Sequence, residues 1–302
     1  MKIGIEGYFR LRVFSADGRF TGKDTGWIHN LITDQGKDAL AQQTDVMAWY
    51  HVGTSSAAPA VTDTWLGAHV ASSNNVINNV KGVVGTSYGY RRQTIRFDVG
   101  AAAGNLQECA VGWSETTGTA FMHELVRNPS TGVAISITVL ANEYLEFTYE
   151  LRYNIPAGDF TGVGAIDGID YNFTMRAASC TDTSWWADRI GLQITADTGV
   201  GKHYAYTGSI GAITTVPSGQ SGDYTVNITV DSYNPGDYHR EFTVTADTTE
   251  WNVAGGIIRS LTFGCTANRW QAEFDKVSDG TGIVKSGAGT LTMKYAVSWE
   301  RA

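Results

Sequence analysis

The sequence predicts an all-β protein made of two tandem antiparallel β-sandwich modules, with one short helix near residues 33–43. Three observations predict it. Near the end of the first half, Leu145, Phe147, Tyr149, Leu151 and Tyr153 alternate with Glu146, Thr148, Glu150 and Arg152. At the end of the second half, Leu291, Met293, Tyr295, Val297 and Trp299 alternate with Thr292, Lys294, Ala296 and Ser298. Successive side chains of a strand point to opposite faces, so each run reads as a half-buried strand. The third observation is composition: 35 Gly and 5 Pro, many Thr, Val and Tyr, and little Lys, Glu or Leu. That mixture suits short strands joined by tight turns.

Taken in chain order, "YFRLRVF" reads as a first strand. "TDQGKDALAQQ", residues 33–43, is the best helix, with Thr33 or Asp34 as N-cap and Gly36 weakening it. "HVGTSSAAPAVTDTWLG", residues 51–67, has too few charges for a solvated loop and no helical period. His51 and Val52 are expected to end a central strand. Gly53 to Ala60 then cross the sandwich edge as a close-packed loop. Thr62-Asp63-Thr64 form a side-chain-bonded turn, and Trp65 and Leu66 anchor the loop in the core. "SSNNVINNVKG" reads as a polar loop, and "YRRQTIRFDV" from Tyr90 as a strand.

"CAVGWSETTGTAFMHEL" and "LTFGCTANRWQAEF" each read as strand, Gly-containing turn and strand. Tyr90 precedes Leu145 by 55 positions, and the similar Tyr238 precedes Leu291 by 53. The repeated order predicts an internal duplication. Gly, Pro and Asp crowd residues 154–168, which places the boundary between modules 1–156 and 157–302.

The net charge of −8 argues against a nucleic-acid groove, which needs a positive field. Cys109, Cys180 and Cys265 form no zinc or CxxC pattern and are expected as reduced thiols in a β core. The N-terminus has no basic start followed by an apolar block, and no apolar run nears the ~18 residues of a membrane span. Synthesis in a reducing cytoplasm, without membrane insertion, is the expectation.

Gly85-Thr86-Ser87-Tyr88-Gly89 matches G-x-S-x-G, with His123, His203 and His239 downstream. A nucleophile elbow needs a helix after its serine, and here a strand pattern follows, so a turn is expected. The six histidines form neither HxH nor HExxH, and Asp167 and Asp170 read as turn chemistry. No catalytic, cofactor-binding or metal-ligating residue is expected. Trp185-Trp186 is the most unusual pair, because adjacent strand residues face opposite sides. With Trp65, Tyr204 and Tyr206 it forms a candidate interaction surface.

"NLITDQGKDALAQQ", "WYHVGTSSAAPAVTDTWLGAHV", "NLQECAVGWSETTGTAFMHELV" and "YLEFTYELRYNIP" follow one another. This succession resembles a set of tailed-bacteriophage virion proteins, often tail- or fibre-associated. In those proteins a segment like N-[LI]-[IV]-T-x-x-G precedes a short helix, and a strand ends in V-G-T. A P-x-x-T-D-T-x-L turn and a later E-x-x-V-G strand follow. The resemblance covers about residues 30–156, and Ser55 stands where the pattern often has a second glycine. It implies a non-enzymatic structural component of the virion, assembled in the bacterial host cytoplasm. The expected location is tail, baseplate, collar or fibre base. The expected partners are copies of the chain, as a trimer or ring, and other virion proteins, with no cofactor. A capsid decoration protein is one alternative. A module binding a host-surface glycan or receptor through Trp185, Trp186, Tyr204 and Tyr206 is another.

Overall fold

The computed structural model describes residues 1–178, 189–195, 203–213, 215–220, 226–265, 268–285 and 287–302. Strands dominate them, with a single α-helix, Asp34–Gln42. A nine-stranded sheet spans both halves. Its main path runs Asn227–Val230, His239–Ala246, Leu291–Arg301, Lys2–Ser15, Glu143–Asn154, Tyr88–Arg96 and Val76–Val84.

Two five-stranded sheets cover its inner face. The first half contributes Leu31–Ile32, Ala120–Leu125, Glu108–Gly112, Trp49–Gly53 and His69–Ser73 in that order. The second contributes Phe160–Ile166, Ile169–Ala177, Asn268–Lys276, Ser260–Cys265 and Tyr204–Tyr206. Ring contacts close both sandwiches: Tyr50 lies 4.9 Å from Phe147, and Tyr295 lies 4.8 Å from Phe263.

The alternation in the sequence sets the register. Leu11 faces Phe147, Phe9 faces Tyr149 and Ile5 faces Tyr153, all fully buried on the inner side. A one-residue slip would turn this whole set to water. The Glu143–Asn154 strand departs from the half-buried expectation, because its outward face is covered too. Arg12 and Arg96 close over Glu146, and Arg92 and Arg152 close over Glu150. Guanidinium stems shield these carboxylates while their charges pair with them.

The Lys2–Ser15 strand joins the halves. One edge pairs along its length with Glu143–Asn154, antiparallel. The other edge is shared: Lys2 to Ile5 run parallel to Ser298 to Arg301, and Ile28–His29 and Phe20–Asp24 take the rest. The link between residues 154 and 160 therefore connects two sandwiches that share one sheet.

Each half shows the same connection order. Tyr88–Arg96 leads to the hairpin Glu108–Gly112/Ala120–Leu125 and then to Glu143–Asn154, back beside its start. His239–Ala246 leads to the hairpin Ser260–Cys265/Asn268–Lys276 and then to Leu291–Arg301, again beside its start.

The helix sits where the halves meet. Thr33 is its N-cap, accepting from the Gly36 amide at 2.9 Å. The Trp299 indole N–H donates to the Lys37 carbonyl at 2.9 Å, and Arg301 reaches Asp34 at 2.6 Å. Near the helix end, the Ile194 amide donates to the Leu40 carbonyl and the Gln193 side chain to the Ala41 carbonyl. Carbonyls that a helix leaves open at its C-terminus are thus satisfied from the other half.

One further sequence expectation changes. "SSNNVINNVKG" is mostly strand, Val76–Val84, paired with Tyr88–Arg96 rather than looped. Its backbone ladder needs no apolar alternation, since neither face is buried. Gly85 to Gly89 does form a turn: Gly85 has φ +52°, and the Ser87 amide donates to Val84 at 2.9 Å. An antiparallel strand follows it. Cys109 and Cys265 are buried free thiols, while Cys180 lies outside the described residues.

Gly36 weakens the helix by propensity, yet the fold requires it. A methyl group there would overlap the Phe121 carbonyl oxygen, a backbone atom that cannot swing aside. Gly36→Ala is therefore expected to destabilise the protein by about 1–3 kcal/mol, despite alanine's ~1 kcal/mol better helix propensity. Urea denaturation of the two proteins checks the sign.

Candidate functional site

The Trp49–Gly53 strand pairs with Glu108–Gly112, placing Gly53 opposite Glu108. The chain then leaves the sheet and returns at His69. Glu108 is fully buried beneath this excursion. Its Oε1 accepts from the Ser55 amide at 3.1 Å and the Ala68 amide at 2.7 Å. Its Oε2 accepts from the Gly67 amide at 2.9 Å and lies 3.0 Å from His123 Nε2. One carboxylate thus fastens both ends of the loop.

His123 carries the clamp to the middle of the loop. Its Nδ1 lies 2.7 Å from Asp63 Oδ2, which also accepts from the Ala60 amide at 2.7 Å. Burial opposes the charged ring, but the hydrogen bonds to Glu108 and Asp63 outweigh it and raise the His123 pKa. Burial likewise opposes the Glu108 carboxylate. Its bonds to His123 and to the three loop amides prevail and lower its pKa. The geometry fits an imidazolium held between two carboxylates. Both ring nitrogens are committed, so neither is left to take a proton from a nucleophile.

Glycines let the backbone close in. A Cβ at Gly53 would strike Glu108 and the Ala68 carbonyl, and one at Gly67 would strike Ser55. The loop also seats the helix and the hairpin. The Asp34 amide donates to Val61 at 2.7 Å, the Ala120 amide to Thr64 at 3.1 Å, and the Thr33 hydroxyl to Ala120 at 2.7 Å.

Leu66 is buried against Ala110 and Ala120, as its anchoring role requires. Trp65 is half-buried, its ring 4.4 Å from His51 and 5.6 Å from His69. Ser72 Oγ lies 2.8 Å from both His51 Nδ1 and His69 Nε2. Burial, helped by His69, pushes the His51 pKa down to about 3, so that ring is neutral.

Of the remaining candidate residues, Tyr204 and Tyr206 lie in the second half, apart from the Trp65 ring cluster. Trp185 and Trp186 lie outside the described residues. Tyr204 is half-buried in the second half, and its ring lies 6.3 Å from Tyr206. Tyr206 is fully buried, its hydroxyl within 3.4 Å of Thr262 and Arg269. That full burial removes Tyr206 from any stacking face. Sequence reasoning placed Asp63 in a side-chain-bonded turn and noted His123 only behind the G-x-S-x-G match; it did not single out Glu108 or join the three. The signal for Glu108 and His123 was a polar residue at the start of "ECAVG" and near the end of "AFMHEL", otherwise apolar runs.

Among the described residues no group of three His, Cys, Asp or Glu is placed to hold a metal ion. None of the described helices is long and apolar enough to cross a membrane. A cleft of about 490 Å³ between the sheets of the second half is lined mainly by apolar groups, including Phe173, Met175, Phe274 and Met293. Comparison with protein-family models, curated proteins and solved structures finds no match.

Glu108→Gln keeps the shape but turns an amide N–H₂ toward donors. A loss of about 2–4 kcal/mol is expected in denaturant unfolding, with amide exchange faster at Ser55, Gly67 and Ala68.

The pH dependence has two limbs. The His123 contribution is complete below its unfolded pKa of about 6.5 and is lost as pH rises through the raised folded value. The Glu108 contribution is present above about 4.3 and is lost as pH falls through the depressed folded value. Loop protection measured by hydrogen exchange should therefore decline on the alkaline side, and His123→Gln should flatten that decline.

Proposed function

We propose that the chain is a non-enzymatic structural component of a tailed-phage particle, acting through its sandwich edges and end loops on the tail, baseplate, collar or fibre base. One observation carries this reading. The residues on which the resemblance rests meet in a single interlocked cluster. Gly53 of V-G-T, Asp63 of the T-D-T turn and Glu108 of E-x-x-V-G join the clamp, and Thr33 and Gly36 of the helix segment pack against Ala120 and Phe121 of the strand that carries His123. Those motifs are thus accounted for as architecture, with their polar groups engaged in holding one loop.

The matched connection order of the halves supports an internal duplication, and with it a chain built from repeated sandwich units. A net charge of −8 suits contacts on an outer surface better than a DNA-lined interior. Self-association as a trimer or ring, and contacts with other virion proteins, belong to this proposal.

The test is quantitative mass spectrometry of nuclease-treated, density-purified phage particles from the producing bacterium. Peptides of this chain are expected at a fixed copy number far below that of the major capsid protein. A copy number close to the capsid protein's would make it a head decoration protein instead. Absence from the particles would remove the virion role.

A further inference from the structure

We propose that the Val76–Val84 strand is a self-pairing edge, through which a second copy of this chain adds antiparallel across a twofold axis at Val80. The inference deepens the proposed assembly role and rests on it for its context. The strand ends the nine-stranded sheet, and no described strand pairs with its outer side. Residues Val76 to Lys81 are all exposed, so the strand overhangs the sheet packed beneath its neighbours. An overhanging strand leaves room for a partner on the same plane.

Its apolar content is unusual for an edge. Val76 and Val84 are 48% and 44% exposed, and Ile77 and Val80 are exposed between them. Edges of this kind are normally protected by proline, several lysines or a central bulge. Here there is no proline and one lysine. The single register shift falls between Val76 and Asn78, leaving Asn78 to Val84 regular.

The sequence is close to palindromic about Val80. Antiparallel pairing at that centre sets Val80 against its own copy, Asn79 against Lys81 and Asn78 against Gly82. Beyond these, at the bulged end of each strand, the apolar Ile77 and Val76 come opposite Val83 and Val84. Apolar side chains meet apolar ones at both ends, and the lysine meets an amide rather than its own charge. Directly opposed residues share a face, so each pairing is a side-chain contact as well as a backbone one. A partner of unrelated sequence would have no reason to match this symmetry.

The test uses the full chain at roughly 1 μM to 1 mM in sedimentation equilibrium, a span that resolves weak association. The wild-type chain should self-associate. Val80→Glu should weaken that association at least about tenfold, because the two introduced carboxylates oppose each other. Within one copy the new carboxylate faces Arg92, so circular dichroism and the thermal midpoint should hold. Val80→Lys should also be deficient alone, and mixing the two variants should restore pairing.

A wild-type chain that stays monomeric across the range overturns the proposal. So does association that Val80→Glu leaves unchanged, or a mixture that does not recover. Those results would leave the particle measurement standing, whereas absence from particles would remove the virion role and leave the pairing intact.

Discussion

A carboxylate with no access to water organises the first half of this protein. Removing an ion from water costs several kcal/mol unless strong partners replace its hydration. Glu108 has three backbone amides and one imidazole around it. Those partners arrive only if the chain from Ser55 to Ala68 folds back over the carboxylate, and the close approach demands glycine at 53 and 67. Once the loop is fixed, Val61 and Thr64 offer carbonyls to the helix start and the hairpin. The helix then presents its own carbonyls to the second half. A single desolvated charge is thereby linked through the loop to the helix, the hairpin and the second half.

The second constraint is the shared first strand. A sheet strand has two edges, and Lys2–Ser15 gives one to each half at its N-terminal end. The parallel contact with Ser298 to Arg301 brings Trp299 and Arg301 to the helix, so sheet pairing and helix docking depend on each other. Such contacts join residues nearly the whole chain apart. Their closure is slow to form and, once made, couples the two sandwiches.

What the sequence revealed followed from burial. Leu145 to Tyr153 alternate because one face must be apolar, and that pattern was plain. The small-residue character of residues 51–67 signalled a packed loop for a related reason, since bulk is excluded where backbones touch. Thr33 and its helix were visible through local capping chemistry. Val76–Val84 was hidden because an edge exposed on both faces has no selection for alternation. Glu108 was hidden because a charged strand residue ordinarily points to water, and only the folded loop shows where its partners lie. The parallel pairing of the chain ends left no local trace. Tyr206 looked like an available ring beside Tyr204, but the fold buries it completely, with partners from other strands at its hydroxyl.

Under the proposed assembly, rigidity in the loop and openness at the edge would act in complementary ways. A loop held at both ends and the middle loses little conformational freedom when a partner covers it, so less of the contact energy is consumed in ordering. An edge strand already fixed by its inner neighbour is likewise prepared, with donors and acceptors spaced for another strand. The clamp holds the loop at Ser55, Asp63, Gly67 and Ala68, and the proposed pairing would continue the sheet beyond Val76–Val84. Stiff units with a defined open edge form regular contacts, because each copy presents the same geometry to the next.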